Sequence, residues 1–279
     1  MTNNTDRDPD FSLRCKECYE IVENYLNDNL PTPKKPGFKT TTALKNEVKS
    51  KIKLTVSILE KSIDLHGLNE IAISYNGGKD CLVMLILLLS TIYKKHKEMS
   101  FNLPKHYELD SIYINSETPF PKLIDFIHSS TKYYHLNQII IKDTLKNGFK
   151  YYLEQVNTNV KSVIVGIRYS DPYGSELKYE QMTDHNWPKF LRIHPILHWH
   201  YVDIWQFLIS TGIEYCEMYD LGYTSLGGIN RTKPNPDLKL ENGDYLPAYM
   251  LKDHADEKER LGRELKESTP IPIDNKIDN

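Results

Sequence analysis

Four short apolar runs recur along this chain, IAIS at 71–74, SIYI at 111–114, QIII at 138–141 and SVIV at 162–165. Between them lie stretches with apolar residues at helical spacing, 79–96, 120–130 and 144–155. Runs this short and this apolar suit strands buried on both faces, and parallel strands need a crossover, usually a helix. The alternation therefore predicts an α/β fold, a mainly parallel sheet flanked by helices. Ligands of such sheets bind beyond the carboxyl ends of the strands. Attention falls on the residues that follow a run: Ser74 to Asp80, Asn115 to Glu117, and Gly166 to Arg168.

Outside this block, 11–26 and 42–65 read as amphipathic helices separated by a Pro- and Lys-rich linker at 31–37. A further strand is expected at 192–196, and a helix at 201–211 ended by Gly212. An irregular Gly-, Pro- and Asn-rich stretch at 221–236 and a charged helix at 248–267 follow. The organisation expected is an N-terminal helix and linker, 1–40, and one domain, 41–279. Charged residues at 26% and hydrophobic residues at 39% are ordinary for a globular protein. A net charge of −3 argues against nucleic acid or an anionic membrane as partner. The start, MTNNTDRDPDFS, has no apolar leader core, and the longest apolar stretch, 81–89, is too short to span a bilayer. Four scattered cysteines (Cys15, Cys18, Cys81, Cys216) suit a reducing compartment without disulfides, so a cytoplasmic location is expected.

The turn Ser74-Tyr75-Asn76-Gly77-Gly78-Lys79-Asp80 joins the first run directly to an apolar helix. Glycines let backbone N–H groups face an anion, the helix N-terminus adds partial positive charge, and Lys79 adds a full one. The turn is not the P-loop of kinases and GTPases, which would put Gly where Ile73 stands and Ser or Thr where Asp80 stands. Nor does it carry the dinucleotide pattern G-x-G-x-x-G. A plain strand–helix turn with no ligand is the alternative, but it would leave Lys79 an unpaired charge beside two glycines.

Four further clusters carry polar chemistry. Gly166-Ile167-Arg168-Tyr169-Ser170-Asp171-Pro172 offers an Arg for phosphate and an Asp for a polar ring edge, or else a local ion pair on a surface turn. Thr183-Asp184-His185-Asn186-Trp187-Pro188, leading to Arg192, offers a stacking face with donors and acceptors, or a Trp that caps the core. The loop from Thr224 to Pro236 is long and irregular, as functional loops often are. Arg260 and Arg263 would share a face of the last helix, to clamp a ligand or to pair with Glu257 and Glu259. Cys15-x-x-Cys18 lacks a second pair for zinc, and His198-Trp199-His200 lacks a third ligand.

Taken in order, SYNGGKD, GIRYSDP, TDHNWPKFLRIHPIL, the 224–236 loop and Arg260-x-x-Arg263 resemble the eukaryotic FMN adenylyltransferases, or FAD synthetases. These belong to the phosphoadenylylsulfate (PAPS) reductase-like group of PP-loop enzymes, with an adenine nucleotide α-hydrolase type of fold. The resemblance runs from about Ile52 to Arg263, and fungal single-domain members look nearest. It implies a C-terminal loop-and-helix extension for flavin, about 180–267. It implies that AMP passes from ATP to the phosphate of FMN, giving FAD and pyrophosphate, with Mg²⁺, in a monomer. ATP would be held by Ile73, Ser74, Tyr75, Asn76, Gly77, Gly78, Lys79, Asp80, Ile114, Asn115, Gly166, Ile167 and Arg168. Among these Asn76, Lys79, Asp80 and Arg168 would be catalytic, with Asp80 at the metal. Asp171, Asp184, His185, Asn186, Trp187, Arg192, Arg260 and Arg263 would surround the flavin. The rival readings are PAPS reduction, another PP-loop ATP pyrophosphatase (amidation or tRNA thiolation) and a non-catalytic nucleotide sensor. A reductase would need a nucleophilic Cys near the C-terminus, and none follows Cys216.

Overall fold

The structure, a computed structural model, describes residues 10–99, 103–184 and 186–264. Its centre is a six-stranded sheet built from β1 (Ile71–Ser74), β2 (Leu109–Ile114), β3 (Leu136–Ile141), β4 (Ser162–Val165), β5 (Glu180–Met182) and β6 (Leu191–Ile193). The order is β3-β2-β1-β4-β6-β5. All pairs are parallel except β5 with β6. Ile73 of β1 is flanked by Ser111 of β2 and Ile164 of β4. The chain leaves β1 towards β2 and β3, then returns to β4 on β1's other side. The β1/β4 boundary is therefore the switch point of the sheet, where its carboxyl ends open a crevice.

The helices are α1 (Phe11–Leu26), α2 (Thr42–His66), α3 (Lys79–Met99), α4 (Pro121–Tyr133), α5 (Leu145–Tyr151), α6 (Tyr201–Thr211) and α7 (Ala255–Lys258). α3 is apolar on every side from Leu82 to Leu89, all with no exposure. A helix apolar all round must be covered all round, and α1, α2 and α6 pack against it. Asp10 and Thr41 cap α1 and α2 by accepting from Leu13 N at 2.7 Å and Leu44 N at 3.1 Å. α6 starts with the Asp203 carboxylate accepting from His200 N at 2.7 Å and ends at Gly212 in the left-handed conformation. Cys15 and Cys18 belong to the core-facing stripe of α1, with both thiols buried and free. The opposite face of the sheet is covered more lightly. There Ala72, Ile112 and Val163 meet Phe149 and Tyr152 from α5 and its continuation, with Phe190.

Several elements differ from the sequence reading. The expected strand 192–196 is shorter, because Pro195 has no N–H to donate. Its partner β5, short and polar, has no apolar signature. The helix expected over 144–155 is α-helical only to Tyr151 and continues as one π turn through Val156. The charged helix expected over 248–267 is a short turn at Ala248–Met250, the single turn α7 and an irregular segment; 265–267 lie outside the described residues. His254 at φ 53° breaks the helical path before α7, and carboxylates beyond it are drawn inward to buried cations. Arg260 and Arg263 therefore share no helix face.

Candidate active site

β1 ends at Ser74, and Tyr75 still pairs with the sheet through its N–H to Ile112 O at 3.1 Å. The Tyr75 ring turns into the core, where its hydroxyl donates to Ser130 Oγ at 2.9 Å. The chain then reverses through Gly77, whose φ of 71° suits glycine. A β-carbon at Gly77 would also stand 2.6 Å from Ile127 Cγ1. Asn76 Oδ1 accepts from Gly78 N at 2.9 Å, and the Tyr219 hydroxyl accepts from Lys79 N at 3.0 Å. The turn is thus shaped by its own side chains, with Asn76 facing solvent.

Lys79 and Arg168 are both fully buried, at 1% and 0% exposure, and protein carboxylates meet their charges, so Lys79 is not left unpaired without a ligand as the sequence reading expected. The Lys79 ammonium lies 2.9 Å from Asp80 Oδ2, bonds to Glu259 Oε1, and stands 5.1 Å from the centre of the Tyr201 ring. Arg168 meets four carboxylates: Asp80 Oδ1 at 3.0 Å, Asp171 Oδ1 at 3.3 Å, Asp256 Oδ1 at 3.3 Å, and Glu259 Oε2. Burial alone would weaken the charges on Lys79 and Arg168, but the carboxylates outweigh it and hold both above their ordinary values. Burial likewise pushes Asp80 up, but Arg168 and Lys79 outweigh it and hold the carboxyl below the usual range. The approach of Asp80 Oδ1 to Arg168 Nε lacks hydrogen-bond alignment, so this buried oxygen has no donor.

A cavity of about 300 Å³ opens beside the turn. Asn76 and Gly78 line one wall, and Ile114, Asn115 and Glu117 from the end of β2 line another. Gly227 and Arg263 close it. Glu117 fastens this closure. Its Oε2 accepts from Gly228 N at 2.7 Å, and it faces Arg231 at 3.7 Å and Arg263 at 3.9 Å. Arg263 also donates to Ser225 Oγ at 3.4 Å.

The structure thus brings Asn76, Gly78, Ile114, Asn115 and Arg263 to one cavity. Lys79, Asp80, Arg168 and Asp171 form an adjoining charge cluster. Ile73 is buried within the sheet. Gly166 lets the β4 turn approach α3, for a β-carbon there would stand 2.9 Å from Cys81 Sγ. Ile167 follows, with its N–H to Val165 O at 3.0 Å. Trp187 stands elsewhere. It packs on Phe149 with ring centres 6.4 Å apart, against the α5 face of the sheet. Asp184 O accepts from Trp187 N at 3.0 Å, and exposed Asn186 has φ 62°. Arg192 reaches Met182 O at 3.4 Å. Arg260 is exposed, and His185 lies outside the described residues. Sequence reasoning missed Asp256, Tyr219 and the fastening role of Glu117, and it offered Glu259 as a partner of Arg260 and Arg263, whereas Glu259 pairs with Lys79 and Arg168. A signal for the carboxylates was available, since two buried cations demand counter-charges and the 252–266 run supplies them.

Residues 70–155 and 150–234 match the family model of the phosphoadenosine phosphosulfate reductase domain. The chain is 34% identical over 245 residues to a probable FAD synthase of Schizosaccharomyces pombe, covering 88% of this chain and 87% of that protein. It is 32% identical over 255 residues to the flavin adenine dinucleotide synthase of Saccharomyces cerevisiae, covering 83% of this chain and 78% of that one. Among solved structures it superposes on Candida glabrata FMN adenylyltransferase in complex with FAD and inorganic pyrophosphate. The TM-score is 0.81 at 28% identity, over 92% of this chain and 98% of that one.

Proposed function

This chain belongs to the FAD synthase (FMN adenylyltransferase) family, within the phosphoadenosine phosphosulfate reductase-domain group, and from this we propose how its site works. The protein is an enzyme that transfers AMP from ATP to FMN, giving FAD and pyrophosphate. One observation carries the proposed site: a single cavity is walled both by the anion-binding turn, at Asn76 and Gly78, and by Arg263. A cavity of about 300 Å³ takes part of a nucleotide, and the Gly228 loop held by Glu117 would have to open to admit the rest.

The nucleophile, a phosphate monoester, is already charged and needs no general base. The work of the site is positioning and neutralising two anions. Asn76, Gly77, Gly78 and Lys79 hold the departing β,γ-phosphates, and Arg168 supplies charge beside them. Ser74, Tyr75 and Asn115 shape the ATP site, and the backbone at Ile73, Ile114, Gly166 and Ile167 faces adenine. Arg263, with Arg260, closes over FMN. Asp171, Asp184, Asn186, Trp187 and Arg192, with His185, surround the isoalloxazine. This last role requires the Trp187 loop to approach the cavity from the α5 face of the sheet, where Trp187 packs on Phe149.

Mg²⁺ fits these residues in one form only. Among the described residues no group of three or more His, Cys, Asp or Glu side chains could cage a metal ion. Asp80 Oδ1, however, is a buried carboxylate oxygen without a donor. One such ligand suits an ion carried in on nucleotide phosphates and still largely hydrated. Bound there, Mg²⁺ would neutralise phosphate charge.

Among the rival readings, PAPS reduction finds no support in Cys216, which is buried at 1% exposure. The proposal extends to a monomer working in the cytoplasm without nucleic-acid or membrane partners. The net charge of −3 speaks against nucleic-acid and anionic-membrane partners, and among the described residues no helix is long and apolar enough to cross a membrane. It also takes 41–279 as one adenylyltransferase domain with 1–40 as its N-terminal helix and linker. The direct test incubates purified protein with FMN, ATP and Mg²⁺, with riboflavin and metal-free controls. FAD and pyrophosphate formed in equal amounts, from FMN and not from riboflavin, are expected. Absence of both products would refute the reading.

A further inference from the structure

Glu259 occupies an unusual position in this site. It is 5% exposed, and each carboxylate oxygen bonds a different buried cation, Oε1 to Lys79 and Oε2 to Arg168. A phosphate that binds either cation must therefore compete with this carboxylate. Its backbone is fixed too. Glu259 O accepts from Thr224 Oγ1 at 2.6 Å, and Thr224 Oγ1 accepts from Asn235 Nδ2 at 2.9 Å. Asn235 Nδ2 also donates to Lys258 O at 2.9 Å. Such anchoring holds the carboxylate between the cations rather than leaving it free to swing away. With Asp80, Asp171 and Asp256, it makes four carboxylates around two cations. An anion arriving at the turn therefore meets cations whose charge is already taken.

Resting on the functional reading above, we infer that Glu259 is a positioning residue and resident counter-anion that limits how tightly the pyrophosphate product is held. It keeps Lys79 and Arg168 in place between turnovers and, by sharing their charge, weakens the grip on a highly charged leaving group. An enzyme whose product is a polyanion gains from this, since release of product often sets kcat. A purely structural Glu259 makes the opposite prediction: its loss would loosen the site and weaken anion binding.

The test titrates inorganic pyrophosphate, with Mg²⁺ present, into wild type and Glu259→Gln by calorimetry, and measures product inhibition of FAD synthesis in parallel. Gln keeps the shape and removes the charge. Pyrophosphate should bind the variant more tightly, by about tenfold or more, a factor between the water-screened and the protein-surface values for one charge acting over a few ångströms, and kcat should fall as release slows. Glu257→Gln makes the same change of charge on an exposed neighbour and should leave pyrophosphate affinity as in wild type. If Glu259→Gln does not fold, Asp256→Asn removes another carboxylate from Arg168 and should move affinity the same way by a smaller factor. Unchanged or weaker pyrophosphate binding in the folded variant would overturn the inference while leaving FAD synthesis by wild type intact. Wild type that makes no FAD would instead overturn the functional reading, and this inference with it.

Discussion

The guanidinium of Arg263 lies against the backbone of Gly227, where a β-carbon would stand 2.2 Å from Arg263 Cζ. Glycine is needed there for space, not for backbone freedom, since Gly227 has no positive φ. Gly227→Ala should therefore push Arg263 out of the cavity wall at little cost to the fold, because the displaced group is the end of a flexible side chain. We expect kcat/KM for FMN to fall about tenfold, with Tm within a few degrees of wild type. An unchanged kcat/KM would separate Arg263 from the substrates.

Asp80 is the one carboxylate of the cluster that adjoins the turn itself, and its side chain is 19% exposed. Asp80→Asn keeps the shape and removes the charge. Turnover should drop by about 10²–10³-fold, the range seen when one electrostatic contact is lost from a preorganised site. FMN affinity, read by flavin fluorescence, should stay near wild type. Full activity in the variant would take Asp80 out of the mechanism.

Arg168 is the hub of four carboxylates with no exposure of its own. Arg168→Met should destabilise the protein by about 3–5 kcal/mol, because it strands buried negative charge. Arg168→Lys should recover only part of this, since an ammonium cannot reproduce the planar fork. Denaturant unfolding measures both, and a loss under about 1 kcal/mol for the Met variant would contradict the ion-pair assignment.

Burial, against an opposing hydrogen bond to Lys51 O at 3.2 Å, lowers the pKa of His198 to about 4. The folded state thus takes up this proton less readily than the unfolded chain does. The contribution of neutral His198 is complete above pH 6.5 and is lost as pH falls towards about 4. The slope should be up to about 1 kcal/mol per pH unit in that window, allowing for partial exposure. His198→Gln should flatten that part of the stability profile, and a variant with the wild-type slope would place the titration elsewhere.

Much of the fold was legible because its signals are local. β1, β4, α1 and α6 coincide with their expected bounds, where β-branched runs, helical spacing and Gly212 leave little choice. β5 escaped because a short polar edge strand owes its state to β6 and not to its own residues. The segment 248–264 misled because its charge pattern is that of a solvated helix, whereas Glu259 is buried by partners far away in sequence, Lys79 being 180 residues distant and Arg168 91. In the site, Asn76, Gly78, Asn115 and Arg263 could be named from sequence, and the cavity they share could not.

Spacing and residue type within a few positions of one another were enough to dictate the alternation of strands and helices, the Gly-rich turn after β1 and the order of motifs that marks the family. Which charges meet was left to long-range packing. It turns Lys79 and Arg168 inward to Glu259, and it lets Glu117 fasten the Gly228 loop over the cavity. Burying a cation is unfavourable until a counter-charge arrives, and the nearest carboxylate in space is set by how the elements pack and not by position along the chain.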